Sequence, residues 1–150
     1  MEQIQLFLSN DIVRISFVGW FAAQVIKVFL NLIVNKELKL ERFVGSGGMP
    51  SSHTSLVVSM VTAVARVEGV DSTIFAVGLV FAMIVMYDAM GVRREAGQQA
   101  KLINWMMENW EEGDDQMFGK KLKELIGHTP LEVIAGAILG LVIGLVMDVG

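Results

Sequence analysis

The chain contains no cysteine in its 150 residues, which excludes disulfides and thiolate chemistry. It has no basic excess either. The formal charge is −4, so there is no electrostatic case for a nucleic-acid partner. Met1 to Asp11 hold no Lys or Arg and lack the basic region of a secretory signal. There is no internal repeat and no low-complexity linker. Histidine is scarce, with only His53 and His128 in the whole chain.

What is abundant is apolar. Hydrophobic residues make up 53% and mean hydropathy is positive, above the level of an ordinary soluble domain. Fifteen glycines and ten methionines suit closely packed membrane helices. The length predicts one domain over residues 1–150.

The first apolar run, from about Ile12 to Val34, exceeds the roughly 20 residues that a membrane helix needs. It carries Arg14 near its start and Lys27 in its inner part. A second run starts near Ser51 or Ser52 and reaches about Val67, short for a full span. The turn Glu68 to Ser72 leads into a third run, Thr73 to about Met90, with Ser72 as its N-cap. The last run is Pro130 to about Met147. Thr129 is its expected N-cap, Pro130 its first helical residue, and Glu132 lies in the first turn. Between the last two runs, Gly91 to Ile126 is polar. It predicts a helical continuation to about Trp110, a loop, and a short amphipathic helix near Phe118 to Leu125. Trp105 and Trp110 suit a membrane interface. The expected fold class is all-α: an integral membrane helical bundle of about four spans with a cytoplasmic helical segment.

With that span count, the loops Asn35–Gly48 and Gly91–Ile126 fall on one side. They hold Lys36, Lys39, Arg42, Arg93, Arg94, Lys101, Lys120, Lys121 and Lys123. Basic loops favour the cytoplasm, which predicts both termini outside, in a bacterial cytoplasmic membrane or an organelle membrane. The same span order brings Lys27, His53, Asp88, Arg93, Arg94, His128 and Glu132 to one membrane face.

Those residue types have a shared chemistry. Helix N-termini expose unpaired N–H groups and a partial positive charge, and so bind anions. Gly47-Gly48 lets backbone approach a ligand closely. Ser51 and Ser52 add hydroxyl donors. Lys27, Arg93 and Arg94 add fixed positive charge, and arginine matches phosphate geometry. This describes a phosphate pocket, with Lys27, Gly48, Ser51, Ser52, Arg93 and Arg94 as binding residues and Asp88 as support. Two histidines beside it suit phosphoryl transfer, one attacking phosphorus and one protonating the leaving alkoxide. Glu132 lies one helical turn beyond His128, where it can hold the imidazole tautomer. The ligand spacing matches no standard metal signature, so neither metal nor cofactor is expected.

These motifs resemble a known superfamily. Pro50-Ser51-Ser52-His53 resembles the Pro-Ser-Gly-His motif of type 2 phosphatidic acid phosphatases and vanadium haloperoxidases. His128-x-x-x-Glu132, running into Val133-Ile134-Ala135-Gly136, resembles the superfamily's His-x-x-x-Asp motif and glycine-marked helix. The divergent branch of small bacterial and plant membrane proteins is the most similar. Its stretches resemble Gly47 to His53, Met86 to Arg94 and Gly127 to Pro130. The resemblance implies His128 as nucleophile, His53 as general acid and Glu132 as orienter. Four places depart from the superfamily. Val34-Asn35 stand where the first motif has Arg-Pro, Lys121-Leu122 stand where the third has Ser-Arg, Ser52 replaces a glycine and Glu132 replaces an aspartate.

The expected function is metal-independent hydrolysis of a lipid phosphate or diphosphate through a phosphohistidine. The expected partners are that lipid substrate, the bilayer, and a second copy through the last apolar helix. Structural alternatives stand beside several residues: Lys27 as a snorkelling side chain, Asp88–Arg93 as a structural ion pair, Arg93 and Arg94 as topology determinants. Gly136, Gly140 and Gly144 read as a packing stripe. A non-catalytic protein that binds anionic lipid headgroups is the competing function.

Overall fold

A computed structural model describes residues 2–36, 48–108, 122 and 127–150. Its regular elements among those residues are all helices: α1 (Glu2–Leu8), α2 (Asp11–Asn35), α3 (Ser52–Val67), α4 (Thr73–Met90), α5 (Val92–Glu108) and α6 (Pro130–Val146). Local chemistry sets most of the starts. The side chains of Asn10, Ser51, Ser72 and Thr129 each accept a hydrogen bond from an N–H in the first turn of α2, α3, α4 and α6. At α6 the cap is reciprocal. Thr129 receives the Glu132 N–H, Glu132 receives the Thr129 N–H, and Pro130 opens the helix.

α3 is the central helix and packs on α2, α4 and α6. Its buried face carries hydroxyls: Ser52, Thr54, Ser55, Ser59 and Thr62. Burying hydroxyls is costly unless they bond. Ser55 Oγ donates across to the Gly19 carbonyl of α2 at 2.8 Å, and Ser59 and Thr62 donate back to carbonyls of their own helix. Small side chains then let backbones meet. A Cβ on Gly136 would lie 2.5 Å from the Ser51 carbonyl oxygen, and one on Gly140 would lie 2.5 Å from that of Ser55. The glycine stripe of α6 therefore faces α3 of the same chain, as close helix packing in lipid favours.

End contacts give the directions. Ser51 N–H donates to the Glu132 carbonyl at 3.0 Å, where α3 and α6 begin. Arg66, near the end of α3, donates to the carbonyls of Gly144 and Met147 at the end of α6. The two helices run parallel. α2 runs against them, since Arg14 reaches the Asp148 carbonyl at 2.7 Å and Asp11 accepts from the Gly150 N–H at 3.0 Å. α4 also runs against them, because His128 N–H donates to the Ala89 carbonyl at 3.0 Å. The residues described from the two termini therefore share one end of the bundle, and both histidines lie at the other.

Among the described residues, two helical stretches are long and apolar enough to cross a membrane, Asp11–Ile33 and Thr73–Glu108, and Pro130–Val146 is a shorter apolar helix. Only 11% of the Thr73–Glu108 window is buried, which sets it apart from the core helix of a soluble protein. Ile74, Val77, Val80, Phe81 and Ile84 are all exposed along α4. A continuous apolar face of this kind is what hydrocarbon solvates and water does not.

The sequence expectations differ from this fold in a few places. α1 was not anticipated. α2 begins at Asp11 because Asn10 supplies the cap. α5 ends at Glu108. Trp110 and the short helix expected near 118–125 lie outside the described residues, apart from Leu122. That residue is held by Asn104, which bonds both its N–H and its carbonyl at 2.9 Å.

Candidate active site

Four helix ends build the site. α3 brings His53 in its first turn, and α4 brings Ile84, Val85, Asp88 and Ala89 from its last turns. Arg93 opens α5, and His128 precedes α6. Together these seven residues line a pocket of about 160 Å³. A cavity of about 150 Å³ admits a benzene-sized guest, so there is room for a phosphoryl group but not for a whole lipid.

His128 is the most constrained member. It is buried, and its backbone is fixed by the Ala89 carbonyl. Gly127 packs on the backbone of Arg93 and Arg94 so closely that any Cβ there would collide. Glu132 Oε2 lies 3.1 Å from His128 Nδ1 and also accepts from the Thr129 N–H at 3.0 Å. The cap thus fixes the carboxylate that orients the ring. An ionised carboxylate only accepts, so Nδ1 carries the proton and the ring lone pair is on Nε2. Burial pushes the imidazole below its ordinary pKa, opposed by the Glu132 hydrogen bond and reinforced by the charges of Lys27 and Arg93. The ring is therefore neutral at neutral pH.

His53 is more exposed than His128 and lines the same pocket. Asp88 Oδ2 and Arg93 Nε form an ion pair at 2.5 Å. Lys27 is buried in α2, close enough for its charge to act on both histidines.

Other expected residues sit differently. Ser51 is fully buried and its hydroxyl caps α3, accepting from Thr54 N at 3.3 Å and Thr54 Oγ1 at 3.0 Å. Ser52 is buried as well. Gly48 has φ +85°, a left-handed conformation that favours glycine. None of these three lines the pocket. The Arg94 side chain is exposed, and its contribution here is the backbone under Gly127. Sequence reading missed Gln24, which is buried on the face of α2 that also carries Lys27. The available signal was polar residues at positions 24, 27 and 31 inside an apolar run. Among the described residues, no group of three or more His, Asp or Glu side chains could hold a metal ion.

The Divergent PAP2 family matches residues 8–143, a stretch that includes every residue lining the pocket. The chain belongs to this family. It is also 40% identical over 150 aligned residues to the membrane protein YuiD of Bacillus subtilis (strain 168), covering 93% of this chain and 95% of that one. No solved structure matches the chain. The membrane setting that the apolar exterior implies agrees with the relative's description. The family's match spans all three resembling stretches, so the likeness extends well beyond the two histidine motifs.

Proposed function

We propose that the protein is a lipid phosphate or diphosphate phosphohydrolase working through a phosphohistidine on His128. The observation that carries this reading is one arrangement: a buried imidazole with Nδ1 on a carboxylate, facing a second histidine and an arginine across a phosphate-sized pocket. In the first step the His128 Nε2 lone pair attacks phosphorus, and the bond from phosphorus to the ester oxygen breaks. His53, protonated, gives its proton to the departing oxygen. In the second step a water attacks the phosphohistidine. His53, now neutral, takes a proton from that water, the phosphorus–nitrogen bond breaks, and phosphate leaves. Glu132 stabilises the imidazole as positive charge develops on it. Arg93 and Lys27 stabilise the charge on the phosphoryl oxygens.

The chain works as a single membrane-embedded unit. α2, α3, α4 and α6 alternate across the bilayer, and the pocket opens at the cytoplasmic face, where basic residues concentrate. α3 and α6, at 16 and 17 residues, rise about 24–26 Å and cross a bilayer thinned or wetted at this end. A phosphate on a lipid made in the cytoplasmic leaflet would meet the pocket directly. Phosphatidic acid, phosphatidylglycerophosphate and prenyl diphosphates are candidate substrates.

Phosphate release from a panel of lipid phosphates by detergent-purified protein tests this, with excess chelator present. Chelator-resistant release that His128→Ala and His53→Ala each abolish is the expected result. Lipid binding without release, unchanged in His128→Ala, would overturn it in favour of a headgroup-binding protein.

A further inference from the structure

The proposed phosphatase reaction gives no part to Asp88, yet this carboxylate lines the same pocket as the two histidines. Its Oδ2 sits on Arg93 Nε at 2.5 Å. The two residues lie on either side of Gly91, one in the last turn of α4 and one in the first turn of α5. Side-chain exposures of 48% for Arg93 and 36% for Asp88 place the pair at the pocket mouth rather than in the core. A half-exposed pair adds little to stability, so the fold does not explain why an acid stands there.

Charge explains it better. Among the described residues, the fixed charges that line the pocket or act on its His128 are Lys27 and Arg93 against Asp88 and Glu132, two of each sign. Glu132 is tied to His128 and the α6 cap. A phosphate entering this pocket therefore meets a cationic surplus only once Arg93 is released from Asp88. Two anions competing for one guanidinium disfavour each other.

We propose that Asp88 is a specificity-determining residue: its carboxylate occupies Arg93 as a resident counter-anion, which the phosphoryl group of a membrane-anchored substrate displaces and free phosphate displaces poorly. The inference rests on the phosphatase reading. A lipid substrate brings extra binding from its chain to offset the lost ion pair, and the released inorganic phosphate does not. The carboxylate thus returns to Arg93 as product leaves.

The test is titration of the detergent-purified full chain with inorganic phosphate, by calorimetry and by competition against phosphatidic acid hydrolysis in micelles. Asp88→Asn is expected to bind inorganic phosphate about three- to tenfold more tightly than the parent. The gain should vanish in Asp88→Asn combined with Arg93→Gln. The Michaelis constant for phosphatidic acid should fall less than the inhibition constant for phosphate. Asp88→Ser serves as a second variant, and thermal melting confirms that each is folded. Equal or weaker phosphate binding by folded Asp88 variants, with the parent still hydrolysing lipid, overturns the counter-anion role alone. No phosphate binding and no hydrolysis by the parent overturns the phosphatase reading and this inference with it. A purely structural Asp88 would lower the melting temperature without tightening phosphate.

Discussion

Both ends of the bundle collect arginines, acids and helix termini, and the pocket lined by His53 and His128 lies at one of them. At the end shared by the termini, Arg14 bonds Asp11 and the Asp148 carbonyl, and Arg66 bonds the carbonyls of Gly144 and Met147. Those guanidiniums are held mainly by the main-chain carbonyls that end a helix, as basic side chains near a C-terminus should be. At the other end Arg93 is held by one carboxylate at the edge of a pocket that also contains two imidazoles. A cation at a helix end is thus not by itself a site. The difference lies in whether its partner is a main-chain atom that no ligand can replace or a side chain that one can.

The contrast can be broken first at the nucleophile. His128→Ala should cut phosphate release by about 10⁴-fold or more with the melting temperature little changed, whereas Arg66→Ala should leave release unchanged. Release surviving in His128→Ala would show that the pocket end is no more reactive than the other. His53→Ala should cost about 10²- to 10⁴-fold on lipid substrates. The loss should shrink on an aryl phosphate, whose leaving oxygen needs no proton, and an equal loss on both would remove the general-acid role. Between the two ends, Gly140→Leu should destabilise by about 1–3 kcal/mol, because its side chain must enter the α3 backbone. Thermal unfolding in detergent reads that effect directly. Arg66→Ala should cost about 1 kcal/mol in the same assay.

The finest comparison concerns pH. In the proposed reaction His128 attacks as the neutral ring, and burial lowers its pKa, so the acid limb of the rate profile should lie below the ordinary histidine range. Glu132 opposes that lowering. Glu132→Gln should therefore move the acid limb further toward low pH while reducing the maximal rate. A limb that moves upward would show that the carboxylate does not act on His128.

Much of this was legible in the sequence because caps and spans are local. Ser72 and Thr129 announce their helices through chemistry confined to four residues, and long apolar runs announce α2 and α4. The gathering of His53, Asp88, Arg93 and His128 at one end follows from the alternation of those runs. What sequence did not reveal is how each polar group is used. Ser51 reads equally well as a phosphate donor and as a cap, and its burial beside Thr54 favours the cap. Arg93 and Arg94 are adjacent and chemically identical, so only the helix phase of α5 distinguishes the side chain in the pocket from the one outside. The hydroxyl face of α3 escaped notice because serine and threonine in a short apolar helix look like weakness until glycines are seen opposite them. Gln24 escaped for a related reason: one amide in a long apolar run carries little signal without its neighbours in space.

The hydrogen bonds from Ser51 N–H to the Glu132 carbonyl and from His128 N–H to the Ala89 carbonyl have a bearing on how such proteins diverge. They tie the start of α3, the end of α4 and the start of α6 together through main-chain atoms alone. Where water is scarce these groups must find each other, and they do so whatever side chains surround them. Beyond the glycines at 127 and 136 that let the backbones meet, the frame asks little of side chains, and the groups around the pocket are free to change. Serine in place of the superfamily's glycine at Ser52, and glutamate in place of its aspartate at Glu132, are substitutions that such a frame tolerates. A lineage built on it can exchange substrates, or lose turnover altogether, and still inherit the same fold.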